Sequence, residues 1–108
     1  MDVQLKRGLL DICVLASVKY RDSYGYRMIK DIRPYITISE STLYPILKRL
    51  EAVDMITEYS KEHNGRLRKY YHITDCGRQR LEDFCKEWDQ LTAVYQYIMR
   101  GDDSYDEG

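Results

Sequence analysis

Residues 38–78, ISESTLYPILKRLEAVDMITEYSKEHNGRLRKYYHITDCGR, predict a helix followed directly by a two-stranded hairpin. The helix follows Ser39, a favourable N-cap, and has an apolar stripe on one side and polar and basic residues on the other. The hairpin turns at Asn64-Gly65, because both positions tolerate the positive φ of a two-residue turn. Basic residues flank its tip: Lys61, Arg66, Arg68 and Lys69. A basic helix face beside a basic hairpin favours recognition of duplex DNA.

The helix after Ser39 is predicted to have distinct buried and exposed sides. Its apolar residues recur at helical spacing and are expected in the core: Leu43, Ile46, Leu47 and Leu50. An interior proline costs roughly 3 kcal/mol, but near the first turns, where N–H groups are partly unpaired, we expect Pro45 to cost less. The other side is predicted to contact DNA through Ser41, Thr42, Tyr44, Pro45, Lys48 and Arg49.

A first helix is predicted over about residues 4–19. Its apolar residues recur with a period near 3.6, so one face is expected to lie in the core. That expected core face comprises Leu5, Leu9, Ile12 and Ala16, widened by Leu15 and Val18.

A second helix is predicted from a cap at Ser23 to Arg33, with Ile29 and Ile32 turned inward. Pro34 ends it, because the residue before a proline is pushed out of the helical region. A short turn joins this helix to the next, which makes a helix-turn-helix. We therefore expect a mainly α fold with a small β-hairpin, a winged helix-turn-helix followed by a long C-terminal helix.

The last predicted helix, Asp75 to Arg100, is capped by Thr74. At 1.5 Å per residue it would span about 39 Å, too long for so small a domain to cover. Its apolar residues form a heptad-like seam: Leu81, Phe84, Trp88, Leu91, Tyr95 and Ile98. The seam predicts a homodimer, since helix-turn-helix proteins bind paired half-sites. The alternative is that this helix folds back onto the first helix of its own chain.

Length and charge fit this organisation. A chain of 108 residues suffices for one modest core. Residues 1–75 carry 13 basic and 10 acidic residues, net +3, whereas residues 76–108 carry 4 and 8, net −4. The basic surplus lies in the part that is predicted to bind DNA. We expect a DNA-binding domain over 1–75, a dimerisation helix over 76–100 and an acidic disordered tail over 101–108.

Other classes of protein lack support in the sequence. There is no glycine-rich phosphate loop, paired His and carboxylate motif or nucleophile elbow, so we predict neither an enzyme nor a bound cofactor. His63 and His72 lack a third ligand at workable spacing, so no metal site is predicted. Cys13, Cys76 and Cys85 suggest no disulfide framework. Asp11 interrupts the first apolar run, so we expect a cytoplasmic protein without a signal peptide or membrane span.

Four stretches, KRGLLDICVLASV, YGYRMIKDI, STLYPILKRLE and GRLRKYYHITDCGR, fall in the order and spacing of the PadR family of bacterial transcriptional regulators. The chain resembles a short member with a single C-terminal helix. Two positions depart from the usual pattern: Asp54, where the family commonly has glycine, and Tyr24, where histidine often precedes Gly-Tyr. Aspartate can enter the left-handed conformation at some cost, so the helix is still expected to end at Asp54.

The resemblance implies a winged helix-turn-helix dimer, usually a repressor that a small molecule releases from its operator. It also implies a role for Trp88, because the segment FCKEWDQL is similar to one that lines a central pore in multidrug-responsive members. Two such tryptophans would sandwich a planar aromatic or phenolic effector. The plainer interpretation of Trp88 is packing at the dimer interface.

A protein-interaction module without DNA binding is the alternative function. In that case the basic hairpin would contact an acidic partner protein. The third helix would then carry more exposed apolar residues than Thr42, Tyr44, Lys48 and Arg49 provide.

Overall fold

The computed structural model describes residues 1–101 and confirms a mainly helical fold with one antiparallel hairpin. The elements in chain order are α1 (Val3–Ser17), α2 (Gly25–Ile32), α3 (Glu40–Ala52), β1 (Ile56–His63), β2 (Arg66–Ile73) and α4 (Asp75–Met99). Of the predicted acidic tail, residues 102–108 lie outside the described residues.

The core lies where α1, α2 and α3 meet the base of the hairpin. The predicted stripe of α3 is confirmed, since Leu43, Ile46, Leu47 and Leu50 are all buried. From α2, Ile29 and Ile32 point inward as predicted, and Met28 joins them with no exposed surface. The helix-turn-helix is therefore supported from beneath by apolar contacts on both of its helices.

The prediction for the core face of α1 was wrong in part: Leu15 and Val18 are buried as predicted, but the other four residues of the predicted face are not. The buried residues are Leu10, Val14, Leu15 and Val18. Of the predicted face, Leu5 is 52% exposed, Ala16 is exposed, and Leu9 and Ile12 are only half-buried. This helix has two apolar faces, and periodicity cannot tell which one packs against the rest of the domain.

Ser23 does not cap α2, contrary to the prediction. The helix begins at Gly25 after Tyr24, which makes no capping hydrogen bond through its side chain. Ser23 instead pairs with Tyr71 of β2: its N–H donates to the Tyr71 carbonyl (3.2 Å) and its carbonyl accepts from the Tyr71 N–H (2.8 Å). These two hydrogen bonds satisfy buried backbone groups of both Ser23 and Tyr71, whereas a cap would satisfy one N–H at an exposed helix end.

Residues with positive φ end α3 and form the turn between the hairpin strands. Asp54 has φ 60°, and the N–H groups of Asp54 and Met55 donate to the carbonyls of Glu51 and Leu50, a Schellman motif. Aspartate thus takes the left-handed position as expected. Asn64 and Gly65 have φ of 53° and 80°, which confirms the predicted turn. The strands pair in register from Ile56 opposite Ile73 to His63 opposite Arg66.

The first turn of α4 is fixed to the hairpin. The Thr74 hydroxyl accepts from the Gly77 N–H (3.1 Å) and donates to the Asp54 carbonyl (2.5 Å). A Cβ on Gly77 would fall on the Met55 carbonyl oxygen and lie 2.7 Å from Cγ1 of Ile73. Only glycine permits this approach, so the direction in which α4 leaves the domain is set here.

Beyond this first part, α4 extends away from the domain, and the described chain measures 72 × 26 × 21 Å. Over residues 1–101, none of the helices combines the length and apolar character needed to span a bilayer.

Candidate nucleic-acid interface

The outer side of α3 is exposed and polar. Ser41, Thr42, Tyr44, Pro45 and Lys48 are all exposed. Tyr44, 47% exposed, lies against the start of α2, where a Cβ on Gly25 would be 2.6 Å from its hydroxyl oxygen. The tyrosine is thereby held in place, while about half of its surface remains exposed to solvent.

Helix α3 continues through Pro45, although the expected reason for its low cost was incomplete. Pro45 is the sixth residue of α3, beyond the four whose N–H groups lack an intrahelical acceptor. The carbonyl of Ser41 therefore loses its helical donor. Because Ser41 and Pro45 are both exposed, water can hydrate that carbonyl and limit the loss.

Arg49 is partly engaged within the chain. Its guanidinium forms a hydrogen-bonded ion pair with the carboxylate of Asp11 on α1. Both side chains are partly buried, with exposures of 37% and 29%. The pair joins α3 to α1 and offsets the charge that Arg49 would otherwise offer to a phosphate.

The basic residues of the hairpin, which we call the wing, divide between two faces. Alternation along the strands places Lys69 on the same face as Glu58 and the buried Tyr71, turned toward α3. Lys69 Nζ lies 3.6 Å from Glu58 Oε1. The opposite face carries Lys61, Arg66 and Arg68.

Aromatic rings hold two of the basic residues on this opposite face. The Arg68 guanidinium lies 3.9 Å from the ring centroid of Tyr24, and the Lys61 ammonium lies 5.7 Å from that of Tyr70. Arg68 is half-buried, whereas Arg66, beside the turn, is exposed. Arg66 is therefore well placed to reach beyond the domain, as is Lys69, whose side chain is 65% exposed despite its contact with Glu58.

A groove of about 490 Å³ lies between α3 and the wing, lined by Tyr44, Pro45, Leu47, Lys48, Glu51, Glu58, Lys69 and Tyr71. Tyr71 closes its base and is 4% exposed. Burial, followed by the nearby acidic groups Glu58, Tyr44 and Glu51, raises the pKa of Tyr71 to about 12. Tyr71 therefore belongs to the core, whereas Tyr70, on the opposite face of the strand, is half-buried.

Sequence reasoning missed a second groove on the other side of α3. It measures about 540 Å³ and is lined by Met1, Val3, Lys6, Arg7, Leu10, Thr42, Pro45, Ile46 and Arg49. Arg7 is exposed and lies one turn before Leu10, on the same side of α1, where residues of α1 and α3 line the groove together. The sequence signal that could have indicated this groove is Arg7 itself. A basic residue in line with the apolar residues of a helix marks the point where the buried face becomes exposed.

Leu67 was missed as well. It is next to the turn and 77% exposed, an apolar side chain at the tip of a basic wing.

The outer part of α4 exposes the predicted seam. Trp88 is 49% exposed, Leu91 55%, Tyr95 61% and Ile98 67%. Phe84 is half-buried and stacks on Trp88 with ring centroids 6.0 Å apart. Within residues 1–101, the seam from Trp88 onward does not fold back onto α1.

Leu81 is a correction to the predicted seam. It is only 8% exposed and belongs to the core of its own chain, because α4 packs against α1 over its first turns. A partner could therefore contact the seam from Phe84 onward but not Leu81.

The three cysteines are free thiols: Cys76 and Cys85 are exposed and Cys13 is half-buried. Burial raises the pKa of the Cys13 thiol, so it is protonated at neutral pH. No group of three or more metal-ligating side chains occurs within residues 1–101.

Comparison with known proteins is consistent with this geometry. Residues 14–83 match the model of the transcriptional regulator PadR-like family. A solved structure from Streptococcus mutans UA159 is 41% identical, covers 89% of this chain and 94% of its own, and superposes with a TM-score of 0.77. A PadR-like transcriptional regulator from Bacillus cereus is 31% identical over 91% of this chain and 98% of its own, with a TM-score of 0.80. An uncharacterised protein from Lysinibacillus sphaericus is 34% identical over 88% of this chain and 92% of its own.

Proposed function

Because the chain belongs to the PadR-like family of transcriptional regulators and is therefore not an enzyme, we propose that it acts as a homodimeric repressor on operator DNA. The observation that carries this proposal is one exposed, basic surface. It runs from the groove beside Lys6 and Arg7, across the outer side of α3, to Lys69 on the near face of the wing; Arg66 lies beside the turn on the opposite face. As a DNA-binding regulator the protein would work in the cytoplasm.

Helix α3 is proposed to enter the major groove. Its base-contacting candidates are Ser41, Thr42, Tyr44 and Lys48, with Pro45 packed against the sugar-phosphate backbone. Arg49 retains partial access to DNA, but its pairing with Asp11 supports a role in holding α3 on α1. Lys6 and Arg7 are proposed to contact the phosphates on that side of the groove.

The wing is proposed to contact the flanking backbone or minor groove. Arg66 and Lys69 would bind phosphates, and Leu67 would lie against sugars. The side chains of Lys61 and Arg68 pack on the rings of Tyr70 and Tyr24. They would add positive electrostatic potential and make the wing more rigid, in addition to contacting phosphates.

The homodimer is supported by the seam from Trp88 to Ile98, because an exposed apolar stripe of this length is uncommon in a monomer. Association about a two-fold axis would bury it and place two α3 helices about one turn of DNA apart.

A planar aromatic or phenolic effector is proposed to enter beside Trp88, whose two copies would lie near the axis. Such a ligand weakens DNA binding only if it prefers a dimer whose α3 helices are wrongly spaced for the operator.

The test is a gel-shift with the DNA upstream of the protein's own gene, repeated with competitor DNA and rising salt. We expect operator binding that survives competitor. Replacing Arg66 and Lys69 by alanine should weaken all sequences alike and flatten the salt dependence by roughly one unit of slope per lost contact. Lys48→Ala should instead reduce discrimination between operator and random DNA. Binding that is equal for operator and competitor would contradict the proposal.

A further inference from the structure

The loop between α1 and α2 (residues 18–24) is bonded to both strands of the wing through one carboxylate. Asp22 Oδ2 accepts from the Tyr59 hydroxyl of β1 (2.6 Å), and Asp22 Oδ1 lies 2.7 Å from His72 Nδ1 of β2. Tyr59 and His72 are on the same face of the hairpin, the face turned away from α3. We call this group of three residues the Asp22 clamp.

The clamp is itself anchored to the domain. The Arg27 guanidinium donates to the Asp22 carbonyl and, through Nε, to the Ser23 hydroxyl (3.0 Å). Ser23, only 1% exposed, forms the two backbone bonds to Tyr71 described above. The loop therefore cannot move without breaking contacts to both α2 and β2.

A stack of rings and cations continues outward from the clamp. The ring of Tyr24 contacts two guanidinium groups, Arg27 at 4.9 Å and Arg68 at 3.9 Å from its centroid. Tyr70 meets Tyr24 edge-on at 5.5 Å and stacks on Tyr59 at 5.7 Å. These contacts extend the support of the clamp from the base of the hairpin to its middle.

The pKa shifts of Asp22 and Tyr59 are consistent with the hydrogen bonds of the clamp. Partial burial alone would raise the pKa of Asp22, but the hydrogen bonds from Tyr59 and His72 and the charges of His72 and Lys61 outweigh it and lower that pKa. The bond to Asp22 is the main reason that the pKa of Tyr59 is raised. Asp22 is thus ionised and Tyr59 protonated at neutral pH, the states in which this bond is strongest.

The wing needs such support because little of it is buried. Only Ile56, Tyr71 and Ile73 of its two strands lie in the core, and a lone two-stranded hairpin is marginally stable in water. We propose that Asp22 is a positioning residue: it fixes the angle of the wing relative to α3 and so brings Arg66 and Lys69 onto the DNA. This inference rests on the DNA-binding function proposed above.

The clamp and the change in charge predict opposite effects of Asp22→Ala on DNA affinity. Asp22→Ala removes one negative charge from a protein that is proposed to bind DNA, which by charge alone should tighten DNA binding. If Asp22 positions the wing, the same change should weaken binding about three- to tenfold, because misplaced cations lose their phosphate contacts. Asp31→Ala, an exposed carboxylate on α2, is the matched charge control and should leave affinity unchanged or slightly raised. Asp22→Asn, with the charge of the alanine variant but one remaining acceptor oxygen, should fall between alanine and wild type.

A double-mutant cycle separates positioning from general structure. With Arg66 and Lys69 both replaced by alanine, the wing has lost its main proposed contacts, so Asp22→Ala should cause no further loss. An equal loss in both backgrounds would overturn the proposal. Thermal unfolding verifies that each variant folds. Should Asp22→Ala fail to fold, Tyr59→Phe removes one clamp bond, keeps the ring on Tyr70 and changes no charge.

Hydrogen exchange without DNA completes the test. The backbone amides of the wing between Tyr59 and Tyr70 should exchange faster in Asp22→Ala than in Asp31→Ala, whereas the exchange rates of α1 and α3 should not change. Unchanged exchange at the wing would overturn the clamp whatever the DNA result. If wild type binds no DNA, the proposed function fails, and the exchange experiment still decides whether Asp22 holds the wing.

Discussion

Leu43 and Leu91 belong to apolar stripes of similar spacing, one on α3 and one on α4, yet their surroundings differ completely. Leu43 has no exposed surface, whereas Leu91 is 55% exposed. The body formed by α1, α2, α3 and the base of the wing covers its own stripes, and the outer part of α4 does not. A helical period therefore indicates that a face will be covered, but not which chain covers it.

The largest expected effect comes from placing charge in the α4 seam. Leu91→Glu combined with Tyr95→Glu would bury like charges across the two-fold axis, so we expect the dimer to dissociate or the chain to unfold. Light scattering measures the mass directly. Leu67→Glu, at an exposed leucine of the wing tip, should leave the mass unchanged. A double variant that is still dimeric would remove the seam from the proposed interface.

Next in size is a cavity in the body. Leu43→Ala should lower the free energy of unfolding by about 2–5 kcal/mol, because the void cannot fully collapse. Leu67→Ala should change it by no more than about 0.5 kcal/mol. Urea unfolding at several protein concentrations distinguishes the two regions. If α4 dimerises, the unfolding midpoint of wild type should rise with protein concentration, and Leu91→Ala should lower it most at low concentration, where the weakened dimer dissociates. A wild-type midpoint that does not change with protein concentration would argue against the dimer.

A smaller effect is expected at alkaline pH. An unfolded tyrosine ionises near its ordinary value of 10.0, whereas burial raises the pKa of Tyr71 to about 12 in the folded protein. The folded state thus favours the protonated phenol, and this contribution to stability is present below pH 10 and lost as pH rises toward 12. In urea unfolding between pH 9 and 11, Tyr71→Phe should lose less stability than wild type. Tyr35→Phe, at a tyrosine that is 86% exposed and lies outside the seam, should follow wild type; identical curves for all three proteins would contradict the assignment.

The smallest expected signal is optical. Trp88 is the sole tryptophan, and a planar aromatic ligand between its two copies should quench its fluorescence. Fluorescence titration of wild type with planar dyes and phenolic acids measures this quenching. Equilibrium dialysis measures the binding of the same compounds to Trp88→Ala, which has no tryptophan. Absence of quenching with every compound, or equal binding to the alanine variant, would leave Trp88 a packing residue.

Local signals predicted much of the fold correctly. The stripe of α3, the Asn64-Gly65 turn, the left-handed Asp54 and the Thr74 cap each depend on residues within a few positions of one another. Their chemistry is complete in a short segment, so the sequence alone was enough to identify them.

Predictions that required a choice between distant partners were less accurate. Four of the six residues assigned to the core face of α1 are not buried, Ser23 was assigned a cap in place of its bridge to Tyr71, and Leu81 was assigned to the seam in place of the core. The groove beside Arg7 was not anticipated, because residues of α1 and α3 line it together.

By itself, the sequence determined the order of helices and strands, the end of α3, the hairpin turn, the cap of α4 and the basic surplus of the first 75 residues, since these follow from spacing, backbone preference and composition. Only the tertiary structure decided that Arg49 pairs with Asp11, that the wing cations divide between two faces, and that Asp22 joins Tyr59 to His72 across the hairpin. The partners in each ion pair or hydrogen bond lie 37 to 50 positions apart. Contacts at that separation form only once the core has fixed how the elements pack, and no local pattern specifies them.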